Sequence, residues 1–270
     1  MRTTSNPAFR NLPQQGGYAN FDRNAGAMGA GAAAADARAS QGGFGPAAAG
    51  ERRLTIDDVV VKTATTFGVA LVAGIATAFS GVYWLTLPAF IIGFVVSLIV
   101  IFKQSSNPAL VLIYSAAMGV ALGGITGALE QIGPQYGGIG AQAVVGTVGV
   151  FVGMLIVYKT GAVRVTPRFT KWLMGAMIGV VGLMLVNLVV GLFNGTGFGL
   201  RDASPLAYIF SIVCIGVAAF SLLLDFDQAD RAVREGAPAK FAWYIAFGLM
   251  TTLVWLYIEI LRLLSYFRSN

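Results

Sequence analysis

Residues 82–102 read VYWLTLPAFIIGFVVSLIVIF, 21 consecutive positions without a charged side chain. At a rise of ~1.5 Å per residue, a helix of that length crosses a hydrocarbon core of ~30 Å. Inside lipid every backbone N–H and C=O must be satisfied by the chain itself, which leaves helices or a closed barrel. The run is continuously apolar rather than alternating, so it selects the helix. Six further stretches of comparable character lie on either side of it, at 59–80, 109–129, 138–158, 172–193, 205–224 and 241–264. The breaks between them carry turn chemistry: Gly81, Ser105-Ser106-Asn107-Pro108, Gly133-Pro134, the polar connection 159–171, the loop 194–204 and Glu235-Gly236-Ala237-Pro238. The expected fold is all-α and polytopic, with seven transmembrane helices.

Composition agrees. Mean hydropathy is +0.74, only 11% of the 270 residues are charged, and there are 35 glycines, so the bilayer is this chain's solvent. Residues 1–53, with runs such as GAMGAGAAAADA, hold too little apolar material for a core and read as a disordered Gly/Ala-rich tail. The tail lacks the basic-then-apolar pattern of a secretory signal. Residues 54–270 form the membrane domain.

The absence of histidine removes Ser-His and Cys-His dyads and the usual switch at neutral pH, so a pH response has to come from carboxylates. Cys214 is alone and within an apolar run, which gives no support to disulfide, redox or thiolate-metal chemistry. The net charge of +6 is spread over loops instead of forming one stripe, so it argues for membrane topology and against nucleic acid. With the tail in the cytoplasm, one side receives Arg52, Arg53, Lys62, Lys103, Lys159, Arg164, Arg168, Lys171, Arg231, Arg234 and Lys240, and the opposite connections only Arg201. Arg262 and Arg268 are exceptions near the C-terminus, which seven full crossings place outside. A re-entrant last segment would return that end to the inside.

Small residues recur within the spans at helical spacing, at Gly119, Gly123 and Gly127 and again at Gly146, Gly149 and Gly153. Such faces let helices approach closely where no hydrophobic force drives them together.

The carboxylates within or at the ends of the spans are few: Glu130, Asp225 and Glu259. Ionisable groups at membrane depth are unfavourable unless they line a pathway or find a partner. Asp225 and Asp227 stand about 200° apart on a helix of ~100° per residue. One therefore points inward, and Asp225, which directly follows apolar residues, is the candidate. In the last span Thr252 and Glu259 share a face about 10 Å apart along the axis, while Glu259 and Arg262 have the i, i+3 spacing of a local ion pair. Glu130 falls at the outer end of its span, where solvation is expected. Lys103 closes the second span on the side of Asp225 and is either a basic partner for that carboxylate or a topology marker.

The segment Phe220-Ser-Leu-Leu-Leu-Asp225-Phe-Asp227-Gln228, the final Ile260-Leu-Arg-Leu-Leu264, and Asn107-Pro108-Ala109 followed by the Gly-rich 114–127 resemble the Bax inhibitor-1 family, also called the transmembrane BAX inhibitor motif family. The likeness covers about residues 55–267, leaves out the tail, and is strongest to the bacterial branch; the tail itself is similar to those of actinobacterial members. The resemblance implies a seven-helix bundle with its last helix near the centre, acting as a pH-sensitive passive calcium leak. Two aspartates on the sixth and seventh helices gate the pore in that family. Asp225 matches the first; Thr252 falls at the second, so the pair is not intact and one simpler titration is expected. Lys103 corresponds to the basic residue that clamps the sixth-helix aspartate, and Glu259, Asp227 and Gln228 are candidates to line the pore or touch ions.

The leading expectation is thus a calcium or cation leak in a bacterial cell membrane, with Asp225 as a weak, transient Ca²⁺ ligand and as the group whose charge follows pH. If deprotonation recruits Lys103, the inner end shuts; if it leaves a bare negative site, cations are attracted. The alternative is a non-conducting regulator that contacts a membrane protease or stress-response partner, which the loss of the second aspartate favours somewhat. No cofactor and no enzyme activity are expected: the last span has no lysine for a retinal Schiff base, Asp225 has no second intramembrane aspartate for aspartyl proteolysis, and rhomboid chemistry lacks its histidine.

Overall fold

The computed structural model describes residues 51–195, 198–200 and 204–269, without the side chain of Asn194. The expected disordered tail, up to residue 50, and Arg201 lie outside the described residues.

Seven helices, each long and apolar enough to cross a membrane, follow one another among the described residues. They are α1 (Ile56–Ser80), α2 (Thr86–Lys103), α3 (Pro108–Ile132), α4 (Ile139–Thr160), α5 (Pro167–Asn194), α6 (Pro205–Arg234) and α7 (Ala242–Ser269). Single 3₁₀ turns at Tyr83–Leu85, Pro134–Tyr136 and Ala239–Phe241 lead into α2, α4 and α7.

Four helix starts use side chains that accept otherwise unpaired N–H groups of the first turn. Thr55 and Asp58 form a reciprocal capping box at α1, with the Asp58 N–H donating to Thr55 Oγ1 at 3.3 Å and the Thr55 N–H to Asp58 Oδ2 at 3.1 Å. Asn107, Thr166 and Ser204 each cap a helix whose first residue is proline, where the missing N–H is harmless and φ is already helical. Gly81, with φ 70°, ends α1 in the left-handed conformation that a Cβ disfavours.

The largest departure from the expected bounds is at α6. It continues ten residues beyond position 224, to Arg234. The charged extension sustains itself through i, i+4 ion pairs, Asp227–Arg231 at 2.6 Å and Asp230–Arg234 at 2.7 Å.

Helix α7 is the hub, packing against α1, α3, α4 and α6. In its most apolar window 61% of residues are buried by protein, against 6% in α5, which packs on α6 at the edge and leaves its remaining faces for lipid. The expectation of a central last helix therefore holds. At one end of the bundle Glu51 pairs with Lys240 at 2.7 Å, and the Leu54 N–H donates to the Ala237 carbonyl at 2.7 Å, joining the start of α1 to the α6–α7 connection. At the other end Arg268 donates to the carbonyls of Gln135 and Gly137, both at 2.9 Å, and Tyr208 donates to the Tyr266 carbonyl at 2.7 Å. The last helix thus runs the full length of the bundle instead of re-entering.

The first glycine series does what its spacing suggests. A Cβ on Gly119 would collide with the Ala70 carbonyl, one on Gly123 with the Gly74 carbonyl, and one on Gly127 with the Tyr83 ring. The α1–α3 seam is accordingly backbone against backbone. The second series does not behave this way. Gly149 and Gly153 have no neighbouring atom within 4 Å of an added Cβ, and Gly146 faces only the Ile260 side chain at 3.2 Å. Shared spacing places residues on one face, but that face need not meet another helix.

Candidate gating site

Asp225 lies on the face of α6 that meets α7, and Thr252 lies opposite. The Thr252 hydroxyl donates to Asp225 Oδ2 at 2.7 Å and also stands 3.4 Å from the Gly248 carbonyl one turn back. Two residues further along α6, Asp227 faces away and pairs with Arg231. The helical angle between the two aspartates, read from sequence, separates them as expected.

A cavity of about 110 Å³ borders the carboxylate, lined by Asp225, Gln228, Tyr244, Ile245, Phe247 and Gly248. This is room for several waters or a partly hydrated ion at a site with carboxylate, amide and phenol groups. Tyr244 and Gly248 had not been singled out in the sequence. Their signal was the i, i+4, i+8 row that they form with Thr252, where glycine leaves open the space in front of the carboxylate.

Lys103 closes α2 as an exposed residue. Among the described residues no ion pair joins it, or any other lysine or arginine, to Asp225. Among the described residues the carboxylate's hydrogen-bond partner is a neutral hydroxyl. Gln228 lines the cavity from an exposed position one turn beyond.

Glu259 sits on the same face of α7 as Thr252 but in a different setting. It is 1% exposed, and Arg262 Nη1 donates to both of its oxygens at 2.7 and 2.8 Å. The local pair anticipated from the i, i+3 spacing is formed and buried. Glu130, for which solvation was expected, is half-buried and accepts the Gly140 N–H at 3.1 Å, neutralising a first-turn donor of α4. Nearby, the hydroxyls of Thr126 and Tyr257 are 2.8 Å apart, tying α3 to the hub. Among the described residues no group of three or more acidic, thiol or imidazole side chains gathers as metal ligands.

These features define a class: a seven-helix membrane protein whose hub helix hydrogen-bonds a carboxylate of its neighbour beside a half-open cavity. A family model described as Bax inhibitor 1 like matches residues 6–269. The chain belongs to that family. The match begins at residue 6 and so takes in most of the N-terminal segment that the motifs had left outside. A search of curated proteins found no match.

Proposed function

We propose that the protein is a pH-sensitive passive leak for cations, with Ca²⁺ as the physiological ion, gated at Asp225. The observation that carries the reading is the Thr252–Asp225 hydrogen bond at the edge of the cavity, with no basic side chain on the carboxylate among the described residues. An ionised carboxylate in a bundle interior requires a counter-charge. Here a proton or a passing hard cation supplies it, and the two compete for the same oxygens. Acid therefore suppresses cation occupancy, and the leak rises as pH rises through the titration of Asp225. The branch in which deprotonation recruits Lys103 finds no support in the exposed position of that lysine.

Thr252 changes how such a gate works. A pair of aspartates sharing a proton is driven apart when both ionise. A threonine stays bonded in either state: it donates to the carboxylate, and when Asp225 is protonated it accepts from the acid while donating to the Gly248 carbonyl. The pH response then comes from the charge at the cavity rather than from parting of the helices, so it is shallow and has a single step. One carboxylate with few other oxygen ligands makes a weak site, suited to passage rather than storage.

In this reading the protein is a bacterial cell-membrane protein that catalyses no reaction. The basic end of the bundle, with Arg231, Arg234 and Lys240, faces the cytoplasm, and the C-terminus lies outside. The test is Ca²⁺ flux into proteoliposomes at pH 6 and pH 8, for the unaltered protein and for Asp225→Asn. Flux that is greater at pH 8 and loses its pH dependence in the variant is expected. Folded protein that moves no more Ca²⁺ than empty vesicles at either pH overturns the leak and leaves a non-conducting regulator of a membrane protease or stress-response partner.

A further inference from the structure

Helices α1 and α4 each pack on α7 without forming a seam with one another. Between them runs a groove of about 940 Å³, far larger than the cavity beside Asp225 and at the upper end of the range for ligand sites. Its walls are aliphatic and aromatic, including Val60, Phe67, Val152 and Leu155, and Leu249 and Leu253 of α7 form its floor.

The end of the groove beside the α4–α5 connection is polar. Lys159 and Arg164 line it there, both exposed, and neither has an ion pair among the described residues. Asp230 lines the same end, but Arg234 neutralises it at 2.7 Å and the Tyr158 hydroxyl reaches it at 3.4 Å. The local balance is therefore positive by the two free cations. Thr63 lines the groove deeper in; the residue is 8% exposed, and its hydroxyl oxygen is itself buried and has no hydrogen-bond partner. Most buried hydroxyls in this protein donate back along their own helix, as Thr66, Ser115 and Thr147 do. Thr63 is seven residues from the start of α1, hence about 10 Å along the axis.

We infer that this groove is a binding site for one anionic glycerophospholipid of the leaflet on the Lys159 side. The acyl chains lie between α1 and α4, passing the depth of Thr63, and the headgroup phosphate sits against Lys159 and Arg164. Basic clefts between transmembrane helices recognise anionic headgroups in this way, by charge at the rim and apolar contact below.

Native mass spectrometry of the full chain, released from micelles containing equal phosphatidylglycerol and phosphatidylcholine, tests the site. One phosphatidylglycerol is expected to remain bound in preference to phosphatidylcholine. Lys159→Gln with Arg164→Gln is expected to reduce that preference at least fivefold, and Ala64→Trp, on the exposed groove wall, to remove the bound lipid of either kind. A melting temperature in phosphatidylcholine micelles unchanged from the unaltered protein shows that each variant is folded. Equal retention of the two lipids, or a phosphatidylglycerol preference that survives the double substitution, overturns the assignment. So does a folded Ala64→Trp protein that keeps its lipid, or a second copy of the chain occupying the groove in place of lipid.

Discussion

Two carboxylates, Asp225 of α6 and Glu259 of α7, have been accommodated in opposite ways. Glu259 is fully buried and closed off by a guanidinium from its own helix, one nitrogen of which donates to both carboxylate oxygens. Asp225 borders a cavity and has one hydroxyl from the neighbouring helix. The first arrangement is a permanent ion pair, in which each charge makes the other tolerable and loss of either leaves an uncompensated buried charge. The second has room for a proton or a cation to come and go. Burial of an acid in a membrane protein therefore does not mark a switch; what matters is whether its counter-charge is covalently part of the fold.

Arg262→Gln has the largest expected effect, because it strands Glu259. Breaking a buried pair from one side costs about 3–5 kcal/mol, to be read as a lowered midpoint of denaturant unfolding in detergent. A loss below 1 kcal/mol would show that Glu259 is as adaptable as Asp225 and dissolve the contrast. Thr252→Val retains the shape of the side chain and removes the donor to Asp225, for an expected loss of about 1.5–3 kcal/mol at pH 8. Thr252→Ser, which keeps the hydroxyl, should recover most of that loss.

Replacing both members of the ion pair, as Glu259→Gln with Arg262→Met, should be far milder than Arg262→Gln alone, within about 1 kcal/mol of the unaltered protein. Non-additivity of that size would sharpen the comparison by showing that the pair stabilises only itself. Asp225→Asn should change stability least, by about 0.5 kcal/mol or less, since an amide also pairs with a hydroxyl. Its effect belongs to conduction: flux that no longer differs between pH 6 and pH 8.

The spans were readable in advance because lipid allows so few solutions. Each helix core was recognisable, but the Thr166 cap was not, and α5 begins at Pro167, five residues before its expected start. Errors fell where hydropathy stops being informative. The last turns of α6 carry five charged residues from Asp225 to Arg234, and only the i, i+4 pairing within them explains why the helix continues. Both glycine series have helical spacing, yet one is pressed against α1 and the other stands open. Glu130 seemed a solvated end residue because nothing in its own helix indicates that the first turn of α4 comes to meet it.

The candidate site was half legible. Asp225 stood out as a carboxylate ending an apolar run, and the angle to Asp227 decided which of the two faces inward. That Thr252 is the group that meets it followed from a resemblance in motif, and the hydrogen bond itself required α6 and α7 to lie antiparallel at one register. The basic partner expected at Lys103 was the part that failed to assemble, since a residue at the end of a peripheral helix has no constraint drawing it toward the hub.

By itself, the sequence determined the solvent, the number of crossings, the short connections and which carboxylate points inward, because these depend on the transfer of side chains into lipid and on the 3.6-residue period, both local properties. Tertiary structure alone decided that Glu259 is buried with its arginine, that Asp225 meets a hydroxyl beside a cavity, and where α1 and α4 part to leave a groove. Those outcomes depend on the register and rotation of helices far apart in the chain, set by backbone contact at Gly119 and Gly123 and by the fit of side chains around α7.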